Sequence, residues 1–385
     1  MRGLFAPILL LALSAGPALA KAAPEQPVIY DNDWSVTDGG YVAQPSLMPL
    51  LTSPSHRLLA LTTVSGDFWR DEGTVSVLRF LEIVGAGALP VARGAAFPLV
   101  NSAERHRLWQ QRFGAIPWSG SWNAPSVQAD AHPDDPWAII PPREGMPRLT
   151  ASAMTASATL IAAVHAQPHQ VTIYAEGPLT NIALAIRLDP EFSRLAKGIV
   201  IQGSNAASDH DDGSRPVEFN ILYDPEAADI VLRAPWAQLL LIGEAANRTL
   251  MTLALLERIK AIDTPAARYA AANAGMDMPL WSELGAAIMV DPAIVTSSVQ
   301  AVVQVDLSHG PTYGRTRTWP VGSDQVPERG LGTARVVTGI DQDRFLKTYL
   351  ASLAARVRPI YAGALNRRSI SAPPPPAPHR PAIRR

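Results

Sequence analysis

The chain has 385 residues, 33 Lys and Arg against 34 Asp and Glu, a net charge of −1, and no cysteine. The near-neutral balance excludes a general nucleic-acid binder, and the missing thiols exclude disulfides, a thiolate metal site and a cysteine nucleophile. A domain this long builds its stability from its own core.

In chain order, residues 1–20 read as a secretory signal peptide. Arg2 gives a positive start, residues 4–13 are an apolar run, and Ala18-Leu19-Ala20 is a small-residue cleavage site. The protein is therefore expected to be secreted or periplasmic, cleaved after Ala20. No later run reaches the roughly 18 apolar residues of a membrane span. Residues 27–363 are expected to form one large domain. Residues 364–385, with Pro373-Pro374-Pro375-Pro376 and basic Arg380, Arg384 and Arg385, read as a disordered or polyproline tail.

Val28-Ile29-Tyr30 is an apolar strand, followed at once by Asp31-Asn32-Asp33 and, after a short loop, by Asp38-Gly39-Gly40. Asp31 and Asp33 are two apart and share a strand face. Carboxylates this close share a proton or a cation, and a hard cation suits an all-oxygen cluster. Pro45 and Pro49 predict a kink or a late start in the next helix. Strands follow at 58–65 and 89–92 around a helix at 74–84. Residues 98–147 are irregular and carry Trp109, Trp118, Trp122 and Trp137, as a lid-like loop does. Helix 155–165, strand 170–175, helix 181–188, strand 198–202, helix 225–232 and strand 238–242 come next, with a second long loop at 204–217. The acidic run Asp209-His210-Asp211-Asp212 in that loop reads as solvated more readily than as a metal site. The alternation predicts an α/β fold, with a largely parallel sheet flanked by helices. Strands at 295–307, 315–320 and 334–340 predict an antiparallel C-terminal extension, closed by a helix at 343–357.

Three later motifs sharpen the reading. They are Gly177-Pro178-Leu179-Thr180-Asn181, then Glu218-Phe219-Asn220 with Asp224-Pro225-Glu226-Ala227-Ala228, then Leu280-Trp281-Ser282-Glu283-Leu284. In that order, behind the Asp-rich opening, they closely resemble the nucleoside hydrolase family over residues 27–356. The resemblance implies a Rossmann-like core and hydrolysis of the N-glycosidic bond of a ribonucleoside to ribose and free base. It implies Ca2+ as cofactor, held by Asp33, Asp38 and the carbonyl of Thr180, with Asp33 also acting as general base. It also implies sugar contacts from Glu218 and Asn220, and substrate contacts from Asp31, Thr37, Asp67, Gln202 and Asp212. The expected partner is a small nucleoside, with no nucleic acid, no membrane span, and a dimer or tetramer of the chain in view.

The sequence departs from the family at chosen points. Thr37 replaces the first of two adjacent Asp residues that normally contacts ribose. Ser282 stands at the fourth metal ligand, with Glu283 about 100° further round the helix. Asp67 and Asp212 stand where relatives carry Asn, and Gln202-Gly203-Ser204 where many carry Met-Gly-Gly. Trp281 replaces the His that protonates the leaving base, which resembles the purine-preferring branch; Trp109 is the candidate for the opposite ring. A second reading keeps the fold and loses turnover, leaving a protein that binds a nucleoside or other ribosyl ligand. A third takes Asp31-Asn32-Asp33-Trp34-Ser35 as the start of a haloacid-dehalogenase-type phosphatase. It leaves the Glu-Phe-Asn motif unexplained, and the contexts of Lys197 and Asp211-Asp212 do not match.

Overall fold

A computed structural model describes residues 24–35, 42–116, 118–122, 135–204 and 218–362. Residues 1–20, Thr37, Asp38, Asp212 and residues 364–385, all singled out above, lie outside the described residues. The strands are β1 (Gln26–Asn32), β2 (His56–Thr63), β3 (Val91–Arg93), β4 (Thr172–Glu176), β5 (Gly198–Ile201), β6 (Leu239–Leu241), β7 (Val295–Val305), β8 (Thr316–Pro320) and β9 (Gly332–Ile340). The helices are α1 (Leu47–Thr52), α2 (Arg70–Val84), α3 (Ala103–Phe113), α4 (Ala156–Ala166), α5 (Thr180–Leu188), α6 (Phe192–Leu195), α7 (Phe219–Tyr223), α8 (Pro225–Arg233), α9 (Leu253–Lys260), α10 (Pro265–Ala272), α11 (Trp281–Val290) and α12 (Gln342–Ala354).

The strands form one sheet in the order β3-β2-β1-β4-β5-β6-β9-β7-β8. From β3 through β9 each neighbouring pair is parallel; β7 runs antiparallel to both β9 and β8. The expected α/β class and its antiparallel end are thus both present. Successive side chains of β1 feed opposite cores, Val28 and Tyr30 one, Ile29 the other. The first core lies under α1, α2 and α9 to α12, the second under α4 to α8. Burial on both faces is why these strands read as nearly continuous apolar runs.

The chain leaves β1 toward β2 and β3, then returns to β4 on the other side of β1. That reversal opens a crevice at the carboxyl ends of β1 and β4, where open α/β sheets bind ligands. Two local outcomes matter. The first helix starts late: Pro45 sits in a single 3-10 turn, and Pro49 falls in the first turn of α1, where its missing N–H costs nothing. The region expected to be irregular contains α3, which begins where the Ser102 hydroxyl accepts from the Arg105 amide.

Candidate active site

Asp31 and Asp33 flank the end of β1, and their surroundings differ. Asp31 is wholly enclosed: Thr62 and Asn181 both donate to its Oδ2, Asn181 at 2.7 Å, while its Oδ1 has no partner. Asn181 also donates to the Thr63 carbonyl and accepts from the Ala95 amide. Asp31 therefore joins β1, β2 and the start of α5. Burial pushes its carboxyl up to about 6.

Asp33 lies just past the strand, with its Oδ2 accepting the Asp67 amide at 2.7 Å. Two glycines make room for it. A Cβ on Gly66 would fall 2.1 Å from Asp33 Oδ2, and one on Gly177 would fall 2.9 Å from Asp33 Oδ1 and its amide nitrogen. Burial and the neighbouring Asp67 charge hold the Asp33 carboxyl well above the usual carboxylate range.

The remaining expected residues arrive from strand ends and helix starts. Thr180 opens α5, and its hydroxyl donates to Asp224 Oδ2 at 2.6 Å. Asp224 also caps α8 through the Ala227 amide. Gln202 follows β5, tied by its amide to the Ala175 carbonyl, and its own carbonyl accepts from Asn220 at 3.5 Å. Gly203 at φ 135° and Ser204 at φ 87° turn the chain away from the strand. Glu218 caps α7 at the Ile221 amide, and burial raises its carboxyl to about 7. Ser282, fully buried in the first turn of α11, is fixed by Tyr174, whose hydroxyl donates to the Ser282 carbonyl at 3.0 Å. Trp281 precedes it, its indole N–H on Asn247 Oδ1 at 2.7 Å. Glu283 is buried and sets its charge against Tyr30, Tyr174 and Tyr349.

The Trp-rich segment reaches the same crevice. The Ser121 amide donates to the Gly66 carbonyl at 2.8 Å, its hydroxyl meets Tyr223, and Trp122 stacks on Tyr223 with centroids 4.1 Å apart. The tryptophan of this segment whose indole reaches the carboxylates is Trp118, which donates to Asp67. Trp109 instead bonds the Gly310 carbonyl at 2.9 Å.

One residue escaped the sequence reading altogether. Glu176 ends β4 directly opposite Asn32, whose amide donates to its Oε2, and a hydrogen bond joins it to Ser282. Its signal was a carboxylate closing an otherwise buried strand.

The described donors here are all oxygen. Asp31, Asp33, Glu176, Glu218 and Asp224 owe their raised carboxyls first to burial. Among the described residues, no three His, Asp or Glu side chains already converge as a metal cage, and Asp38 lies outside them. Desolvated carboxylates with an orphaned oxygen on Asp31 fit a hard divalent cation.

A family model described as inosine-uridine preferring nucleoside hydrolase matches residues 28–347. An uncharacterized protein of Schizosaccharomyces pombe is 27% identical over 327 residues, covering 78% of this chain and 80% of that one. The inosine-uridine preferring nucleoside hydrolase of Crithidia fasciculata is 27% identical over 285 residues, 69% of this chain and 80% of its own. A plant nucleoside hydrolase of known structure superposes with a TM-score of 0.67 at 24% identity, covering 86% of this chain and 100% of that one.

Proposed function

This chain belongs to the inosine-uridine preferring nucleoside hydrolase family and is a hydrolase acting on nucleosides, and from that premise we propose that Asp33 activates water to cleave a ribonucleoside N-glycosidic bond with Ca2+ as cofactor. The observation that carries this reading is the setting of Asp33. It sits buried just past the end of β1, cleared by Gly66 and Gly177, with the Asp67 amide on its Oδ2.

Asp33, Asp38 and the Thr180 carbonyl would hold the cation, with the Ser282 hydroxyl at a fourth position. What such a cation supplies is positive charge that makes a nearby water a stronger acid. Asp33 then takes the water's proton. Burial alone would leave its carboxyl protonated, and positive charge beside it keeps it ionised and able to accept that proton. Glu218 and Asn220 orient the sugar hydroxyls. As the base leaves, positive charge grows on the ribosyl ring, as in other glycoside hydrolysis, and the surrounding carboxylates stabilise it. Trp281 stacks on the base, which favours a purine. The sequence of residues 1–20 supports export to the periplasm or beyond. Among the described residues, no helix is long and apolar enough to cross a membrane.

The test is a panel of ribonucleosides assayed for released base, with and without chelator, on the wild type and Asp33→Asn. Base release that stops in chelator, and falls at least about 10³-fold in the variant with its melting temperature kept, is the expected outcome. Near-full activity of the variant would remove Asp33 as the base. Nucleoside binding with no release under any condition would favour the non-catalytic reading, which Ser282 in place of a carboxylate motivates.

A further inference from the structure

We propose that Glu176 is a further carboxylate of the cation site, supplying the negative charge that the neutral Ser282 hydroxyl lacks. The proposal rests on the preceding reading, that a divalent cation binds at the ends of β1 and β4.

Three observations carry it. The first is position. Glu176 is the last residue of β4, in register with Asn32, which lies between Asp31 and Asp33. The residue after it is Gly177, whose bare Cα lies against Asp33. Glu176 is thus built into the same crevice wall as the proposed base.

The second is its partners. Asn32 donates to Oε2, and a hydrogen bond joins the carboxyl to Ser282. The hydroxyl at the fourth ligand position and the Glu176 carboxyl are therefore one hydrogen bond apart. Ser282 cannot drift from this arrangement, because Tyr174 holds its carbonyl and Gly285, one turn on, packs on the Tyr174 hydroxyl.

The third is the company it keeps. Glu176 is 6% exposed, and Asp33, Asp67 and Glu283 are among the described groups whose charge bears on it. A carboxylate buried among carboxylates is costly unless positive charge reaches it. A glutamine could make the same two hydrogen bonds without that cost. If Glu176 were only a protonated strut between Asn32 and Ser282, glutamine would replace it without consequence. A cation ligand or counter-charge does not survive that exchange.

The experiment is calorimetric titration of CaCl2 into the full chain and into Glu176→Gln, Ser282→Asp and the double variant, each melted in chelator to check folding. Wild type should bind. E176Q should bind at least about tenfold more weakly, as expected for removal of one anionic ligand. Adding S282D to E176Q should recover most of the affinity, because the charge returns one hydrogen bond away. E176Q binding Ca2+ as tightly as wild type overturns the proposal and leaves the cation reading standing. A wild type that binds no Ca2+ overturns both. A folding defect in E176Q would also weaken binding, so the double variant decides that case. E176Q/S282D binding no better than E176Q counts against the proposal.

Discussion

Asp33 depends on residues that have no side chain. Gly66 and Gly177 press on its carboxylate and amide from two sides, and neither tolerates a methyl group in place. Gly66→Ala is the sharper case, because its Cβ would also fall 2.7 Å from the Pro178 ring. With a rigid proline on one side, the carboxylate is what moves. An ångström of displacement at a reacting group costs on the order of 100-fold in rate, and overpacking costs on the order of 1–3 kcal/mol in stability. We expect G66A to lose kcat by about that factor while KM changes little, since the glycine faces the base and not the sugar contacts. Steady-state kinetics beside a thermal melt checks this, and unchanged kcat in a folded variant would mean that Asp33 is not the group so tightly positioned. Glu176 makes the opposite point at the same scale. A charged residue that no motif singles out can be as closely built into the crevice as the residues that motifs name.

At the level of elements, α11 brings Trp281, Ser282 and Glu283 toward the crevice, and its extent had no periodic signal in the sequence. Its residues from Ser282 through Met289 are all buried, so it has no polar face and no 3.6-residue stripe to announce a helix. The helix α3 escaped for the opposite reason: only His106 is buried, so it lacks an apolar stripe. The parallel strands β1, β4, β5 and β6 were legible because both faces are covered and their β-branched and aliphatic runs end at turn residues. The crevice was legible in part. Asp33, Thr180, Glu218, Asn220, Gln202 and Ser282 all lie on strand ends or helix starts around it, which is where motifs with fixed spacing arise. What the sequence could not convey is long-range pairing, such as Trp118 on Asp67 or Glu176 on Ser282, across 51 residues in the first case. The element α11 also carries a prediction. Its first residue, Trp281, is held by Asn247 and leans on the core, so its ring is presented in a fixed pose. If that pose serves base stacking, worth on the order of 1–3 kcal/mol per base, Trp281→Ala lowers kcat/KM for purine nucleosides by about 5- to 160-fold and for pyrimidine ones by clearly less. Equal losses on inosine and uridine would count against stacking.

For the molecule as a whole, the crevice is a cost that the rest of the fold carries. Asp31 and Asp224 are both fully buried, and burial raises each from 3.8 to about 6. A carboxyl raised on folding contributes stability that is fully present below its unfolded value. That stability is lost as pH rises through the folded value. With about 1.4 kcal/mol per unit, each group takes away on the order of 3 kcal/mol between pH 4 and pH 7 when no cation neutralises it. Glu218, raised from 4.5 to about 7, acts in the same direction. Opposing them, surface carboxylates such as Asp291, held low by Arg344, lose their stabilisation only in strong acid. Net charge is −1, so general repulsion is not the dominant variable. The protein in chelator is therefore expected to melt at a higher temperature at pH 5.5 than at pH 8. Added Ca2+ should raise the pH 8 melt more than the pH 5.5 melt, because a cation stabilises the ionised carboxylates and competes with their protons. A chelated melting temperature that stays level or climbs from pH 5.5 to 8 would show that these carboxylates are compensated from within the chain, and a Ca2+ shift equal at both pH values would separate cation binding from their ionisation.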